Sequence, residues 1–200
     1  MNALPPPGEY WKAPPVKDKG DSSPDPILTH VGAALTQWEV LENTFSMLFA
    51  IFVEAKTHAA RRAYGSMAST TSRRDALRNA SEVFFTMRAV AQDFRDEFDQ
   101  LLKHFQIASA RRAEIAHGMC MGYTFGSEPF GHFLVPPDYN SRKTSAFIAA
   151  SSEEDRFATF RANYRYTSSD IAEFSVRFGT LDTALIGYYS RLVSTYPQRQ

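Results

Sequence analysis

Residues 94–118 read FRDEFDQLLKHFQIASARRAEIAHG, and this stretch decides the fold. Phe94, Phe98, Leu101, Phe105, Ala108, Arg112 and Ile115 follow one another in steps of four and three. That is the spacing of side chains sharing one face of an α-helix. Gly118 stands directly after the stripe, where glycine closes a helix in the left-handed conformation at no steric cost. The spacing predicts a long amphipathic helix with its end at Gly118.

The same periodicity extends outward on both sides. Upstream, Ile27, Val31, Leu35, Trp38, Leu41, Phe45, Leu48 and Phe52 form a stripe that predicts a helix to about residue 56. A short helical piece is expected at about 58–68. Ser72 and Asp75 have the spacing of a capping box and open a helix through Leu77, Val83, Phe84, Met87 and Val90. This helix either runs into the next one or breaks near 91–93. Downstream, Met119–Phe125 and Phe130–Val135 flank Gly126-Ser127-Glu128-Pro129, the pattern of a β-hairpin. Ala158, Phe160, Ala162, Tyr164 and Tyr166 alternate with polar residues, the period of a strand. Thr167 and Asp170 repeat the capping-box spacing ahead of a last stripe: Ile171, Phe174, Phe178, Leu181, Leu185, Tyr188 and Leu192. The expected architecture is mainly α: a four- to five-helix bundle with a small antiparallel β insertion, about 119–166, before the C-terminal helix. Residues 1–26 are rich in proline and read as a disordered tail, with Tyr10 and Trp11 its only large apolar residues, ahead of a helical domain over 27–196.

Composition narrows the function classes. A hydrophobic fraction of 44% with 14% aromatic residues is enough for a packed core. The 22 basic and 22 acidic residues balance, so no global field draws in nucleic acid. Arg61, Arg62, Arg73, Arg74, Arg78, Arg111 and Arg112 nevertheless come in doublets and close groups, and solvated helix faces account for most of them. The single cysteine, Cys120, allows no intrachain disulfide and no cysteine-type metal site. His30, His58, His104 and His132 are scattered without ligand spacing, so no metal and no cofactor is expected. His104 reads as a solvated helix histidine. Tyr164 and Tyr166 either pack or stack bases, and Arg161 and Arg165 are either solvated or contact a phosphate backbone. No apolar run reaches membrane-spanning length, and no basic segment followed by an apolar run opens the chain. A cytoplasmic location is the expectation.

Arg112 lies on the apolar stripe, where a cation needs a carboxylate, carbonyl groups, a subunit interface or an anionic ligand. Arg111, about 100° round the helix, is expected to face solvent. His117 follows Arg112 by five residues, roughly 140° away on an ideal helix. The two converge only if the helix ends there or two such ends meet across a dimer axis. The plainer alternative is a helix end with cations at the negative pole of its dipole, worth roughly 0.3–1 kcal/mol each.

RRAEIAHG, residues 111–118, resembles the Arg-x4-His motif of the HEPN superfamily, and GAALTQWEVLENTFSMLF, residues 32–49, is similar to the first helix of those proteins. The resemblance implies a metal-independent endoribonuclease acting as a homodimer on RNA, often in a toxin or phage-defence setting with a protein partner or antitoxin. It implies that His117 moves the protons and Arg112 holds the phosphate. The chain departs from the pattern at Ala113, where many active members carry a polar side chain, and Arg111 or Glu114 would have to supply that contact. Glu42 is either a residue that anchors Arg112 or an exposed helix glutamate. The alternative to catalysis is a catalytically silent module of the same type, for dimerisation, nucleotide binding or partner binding.

Overall fold

The computed structural model describes residues 4–55, 57–125, 127–137 and 164–197. Among them the elements are α1 (Pro7–Tyr10), α2 (Asp25–Phe52), α3 (Ala59–Gly65), α4 (Thr70–Met87), α5 (Gln92–His117), β1 (Met119–Phe125), β2 (Glu128–Val135) and α6 (Ser168–Thr195). The protein is mainly helical, with a small two-stranded antiparallel sheet before the C-terminal helix. No helix among the described residues is long and apolar enough to cross a membrane. Most of the expected strand near 158–166 lies outside the described residues; Tyr166 forms an antiparallel bridge with Leu134.

The chain divides into two compact units. Unit 1 holds Met1–Trp11, Trp38–Ala110 and Phe178–Gln200; unit 2 holds Lys12–Gln37 and Arg111–Arg177. The long helices α2, α5 and α6 contribute residues to both, and the boundary expected at residue 26 does not separate them.

In unit 1 the helical stripes bury aromatic rings against one another. Trp38 stacks on Phe105 at 5.3 Å, Phe45 meets Phe105 at 4.3 Å, and Phe98 sits between Phe52 and Tyr188 at 4.9 and 5.5 Å. Inside this core the Thr44 hydroxyl donates to Asp182 at 2.6 Å, which satisfies a buried carboxylate. The break between α4 and α5 is closed by Arg95. Its guanidinium donates to the carbonyls of Phe85 at 2.8 Å and Val90 at 2.9 Å, groups at the end of α4 and just beyond it. Helix α4 starts earlier than the Ser72 and Asp75 spacing predicts. Ser69, in extended conformation, accepts the Ser72 amide at 3.0 Å as the N-cap, and Asp75 is bound by Arg74 instead.

Unit 2 is organised by the hairpin, paired Met119 to Val135 with an irregularity at Tyr123/Thr124. Residues Gly20 and Asp21 run along β2, bonded to Phe130 and His132. Gly131 makes this approach possible: it sits at φ +96°, and a Cβ there would lie 2.8 Å from the Gly20 backbone. Asp21 then accepts the amide of Ser168 at 2.8 Å and its hydroxyl at 2.5 Å, at the start of α6. The expected box at Thr167 is half formed. Asp170 reaches back to the Thr167 amide at 2.8 Å and is paired with Lys17 at 2.7 Å.

The expectation of a disordered N-terminal tail is therefore corrected over its described residues. Trp11 is 1% exposed, stacks on Phe178 at 5.4 Å and donates its indole N–H to His104 Nδ1 at 3.0 Å. A proline-rich chain needs no regular element to be ordered when one large aromatic residue finds a pocket with a hydrogen-bond acceptor. The solvated reading of His104 falls with it, since the imidazole is buried. Arg165 is likewise buried rather than solvated; it donates to the Lys17 carbonyl and lies over the Phe133 ring at 4.9 Å.

Burial holds the His104 imidazole down at about 4, below the ordinary 6.5. As pH falls, the unfolded chain takes up that proton first. His104 therefore leaves stability unchanged above pH 6.5 and removes up to about 3 kcal/mol between 6.5 and 4. Thermal melts across this range should show the loss, and His104→Asn, which keeps an acceptor for Trp11 without the titration, should flatten it. Parallel curves for the two proteins would contradict the assignment.

Candidate functional site

The end of α5 passes into β1 with Gly118 alone between them. Glycine is required here by close approach rather than by a left-handed backbone. A Cβ on Gly118 would stand 2.6 Å from Leu134 Cγ and 2.9 Å from the Glu114 carbonyl oxygen, and among the described glycines only Gly131 has positive φ. The cap expected at this position is thus a packing contact with the hairpin.

Glu114 is the centre of the arrangement. Its Oε2 accepts from Arg111 at 2.7 Å and from the Tyr166 hydroxyl at 2.6 Å, and Arg111 also donates to the Tyr166 oxygen at 2.9 Å. The Tyr164 hydroxyl donates to the Glu114 backbone carbonyl at 3.0 Å, which satisfies one of the last four carbonyls of the helix. The two tyrosine rings stack at 5.0 Å, and Tyr166 also exchanges both backbone hydrogen bonds with Leu134 at 2.8 and 2.9 Å. Burial pushes the Glu114 carboxyl above the usual carboxylate range, opposed by the Tyr166 hydrogen bond and by Arg111. Both tyrosine hydroxyls are pushed up by burial and by the Glu114 charge, so they stay protonated and donate.

The site residues read from the sequence have different surroundings. Arg111, expected in solvent, is bound to Glu114 and Tyr166. Arg112 is half-buried, while Ala113 and His117 are exposed, His117 as the last residue of α5. The exposed imidazole is a group able to exchange protons with a ligand or a partner; the half-buried guanidinium is a group suited to a phosphate or carboxylate. Glu42 is buried, and its carboxylate accepts from Tyr64 at 2.9 Å and meets Arg73 at 3.1 Å. Burial raises its carboxyl, against the pull of Arg73 and Tyr64. In the sequence the tyrosines at 164 and 166 are legible only as packing or stacking residues. Their role as donors to α5 spans fifty residues or more and has no local signature.

Among the described residues, no three His, Cys, Asp or Glu side chains stand close enough together to hold a metal ion. No family model, no curated protein and no solved structure matches this chain.

The Tyr166 hydroxyl serves Glu114 and Arg111 together, and hydrogen bonds to charged groups contribute about 1.5–3 kcal/mol each. Tyr166→Phe should lower unfolding stability in urea by about 2 kcal/mol, and Tyr164→Phe by about 1 kcal/mol, since its acceptor is a neutral carbonyl. An unchanged midpoint for Tyr166→Phe would show that the trio does not hold the helix end.

Proposed function

We propose that the chain is a metal-independent endoribonuclease of the HEPN type that works as a homodimer, in a toxin or phage-defence setting. The observation that carries this reading is the exposure of His117 as the final residue of a long helix whose end is braced from within by Glu114, Arg111 and Tyr166. A reacting imidazole needs access to substrate and a fixed support, and this arrangement supplies both.

In that reaction the ribose 2′-oxygen attacks the neighbouring phosphorus. One His117 takes the 2′-hydroxyl proton, and His117 of a second copy gives a proton to the leaving 5′-oxygen. Arg112 holds the phosphate and stabilises the charge that grows on its oxygens. The bond formed is O2′–P and the bond broken is P–O5′, so the products carry 2′,3′-cyclic phosphate and 5′-hydroxyl ends.

A second reading has its own support. Ala113 is exposed and offers no hydrogen bond, and Arg111 and Glu114, the neighbours able to replace a polar group there, are engaged with each other and with Tyr166. That pattern favours a catalytically silent module that uses the same helix end for dimerisation or for binding a nucleotide or partner.

Total or transfer RNA incubated with the protein in EDTA separates the two. The ribonuclease reading predicts RNA decay with the wild type and a loss of about 100-fold or more in His117→Ala and Arg112→Ala. Equal decay in all three samples would exclude it. No decay in any, together with a dimer weakened by Arg112→Ala in sedimentation, is the result the silent module predicts.

A further inference from the structure

We infer that unit 1 carries a binding pocket for the phosphate of a nucleotide, with Arg61 and Arg62 as its cations. The pocket is an open groove of about 690 Å3 bounded by α2, α3 and α4, and its lining includes Glu42, Asn43, His58, Arg61, Arg62 and Arg73. Three arginines face two glutamates there, Glu42 and the rim residue Glu39.

The charges are not distributed evenly. Glu42, buried in the wall, is used by Arg73 at 3.1 Å and by the Tyr64 hydroxyl at 2.9 Å. Arg73 is fixed further by the Gly65 carbonyl at 3.3 Å and by the Tyr64 ring, 5.7 Å beneath its guanidinium. This trio is structural: it joins α3 and α4 to α2. Arg61 is held differently. Its guanidinium donates to neutral acceptors, Asn43 Oδ1 at 2.5 Å and Ser46 Oγ at 3.2 Å. These bonds orient the side chain, and no carboxylate among the described residues is paired with it. Arg62, exposed on the next residue of α3, makes no side-chain hydrogen bond or ion pair among the described residues.

An oriented guanidinium beside a second one is suited to an anion that carries more than one negative charge. A carboxylate is neutralised by one arginine, whereas a phosphate has oxygens and charge for two. The volume lies in the range of small-molecule pockets, well beyond what a bare phosphate fills. Asn43 and His58 add hydrogen-bonding groups for the sugar or base. The ligand class is therefore a nucleotide phosphate, either of a free mononucleotide or of a single-stranded RNA.

The inference does not depend on RNA cleavage, and the two fail separately. Isothermal titration of the full chain with adenosine 5′-monophosphate, with adenosine and with a short single-stranded RNA at low salt tests it, for the wild type, Arg61→Gln and Arg62→Gln. The Arg61→Gln variant keeps an amide donor for Asn43, and Arg62→Gln removes a side chain with no partner among the described residues, so melting temperatures should match the wild type. The expected result is binding of the monophosphate or the RNA, no binding of adenosine, and a loss of about tenfold or more in each variant. Binding of the monophosphate assigns the site to a free nucleotide; binding of RNA alone assigns it to a strand. Adenosine binding as tightly as its monophosphate, no binding by either phosphate ligand, or variants that bind like the wild type would overturn the inference. A protein that binds nucleotide and leaves RNA intact would keep it and remove the ribonuclease reading.

Discussion

A carboxylate taken out of water must be given donors, and this chain does so twice with the same three residue types. In unit 2 Glu114 is held by Arg111 and Tyr166; in unit 1 Glu42 is held by Arg73 and Tyr64. In both, burial raises the carboxyl, and the tyrosine hydroxyl is raised in turn by burial and by the carboxylate it serves. Such a trio adds little net stability when complete but is costly to break, because a removed partner leaves a charge uncompensated that is buried at Glu42 and half-buried at Glu114. Its effect is to specify position. One trio fixes the end of α5 against residues 164–166, and through Tyr166 against the edge of β2. The other fixes α3 and α4 on α2.

The trios also sort the polar residues. Arg111, Glu114, Arg73 and Glu42 are committed to structure, which removes them from the pool of groups free to act on a ligand. His117 stands outside the first trio, exposed at the helix end, and Arg61 and Arg62 stand outside the second. The functional reading in each unit therefore rests on a group that the fold supports but does not consume. This is the arrangement expected of a site: a fixed frame and a reactive or charged group at its rim.

Much of the frame is legible in the sequence because its signals are local. The stripes at Ile27–Phe52, Phe94–Ile115 and Ile171–Leu192 become α2, α5 and α6, and the hairpin expected around Gly126–Pro129 forms, although β2 begins two residues earlier than expected, with Glu128 and Pro129 paired to Phe125 and Thr124. Asp170 can be read as a cap because its target, the Thr167 amide, is three residues away. What cannot be read depends on partners distant in sequence. Trp11 meets His104 across 93 residues, Arg165 meets the Lys17 carbonyl across 148, and Arg111 meets Tyr166 across 55. A helical wheel puts Arg112 inside and Arg111 outside; the structure leaves both partly buried and gives Arg111 the Tyr166 contact. The wheel also finds the helix end at Gly118 but not the reason for glycine there, since it has no knowledge of Leu134.

The ribonuclease reading makes a chemical commitment that mere loss of RNA does not test. If the 2′-oxygen is the nucleophile, a defined oligoribonucleotide cut by the wild type in EDTA should give fragments whose masses carry 2′,3′-cyclic phosphate and 5′-hydroxyl ends. The same oligonucleotide with a 2′-O-methyl group at the cut position should stay whole. Fragments with 3′-hydroxyl and 5′-phosphate ends, or cleavage of the methylated strand, would contradict the account.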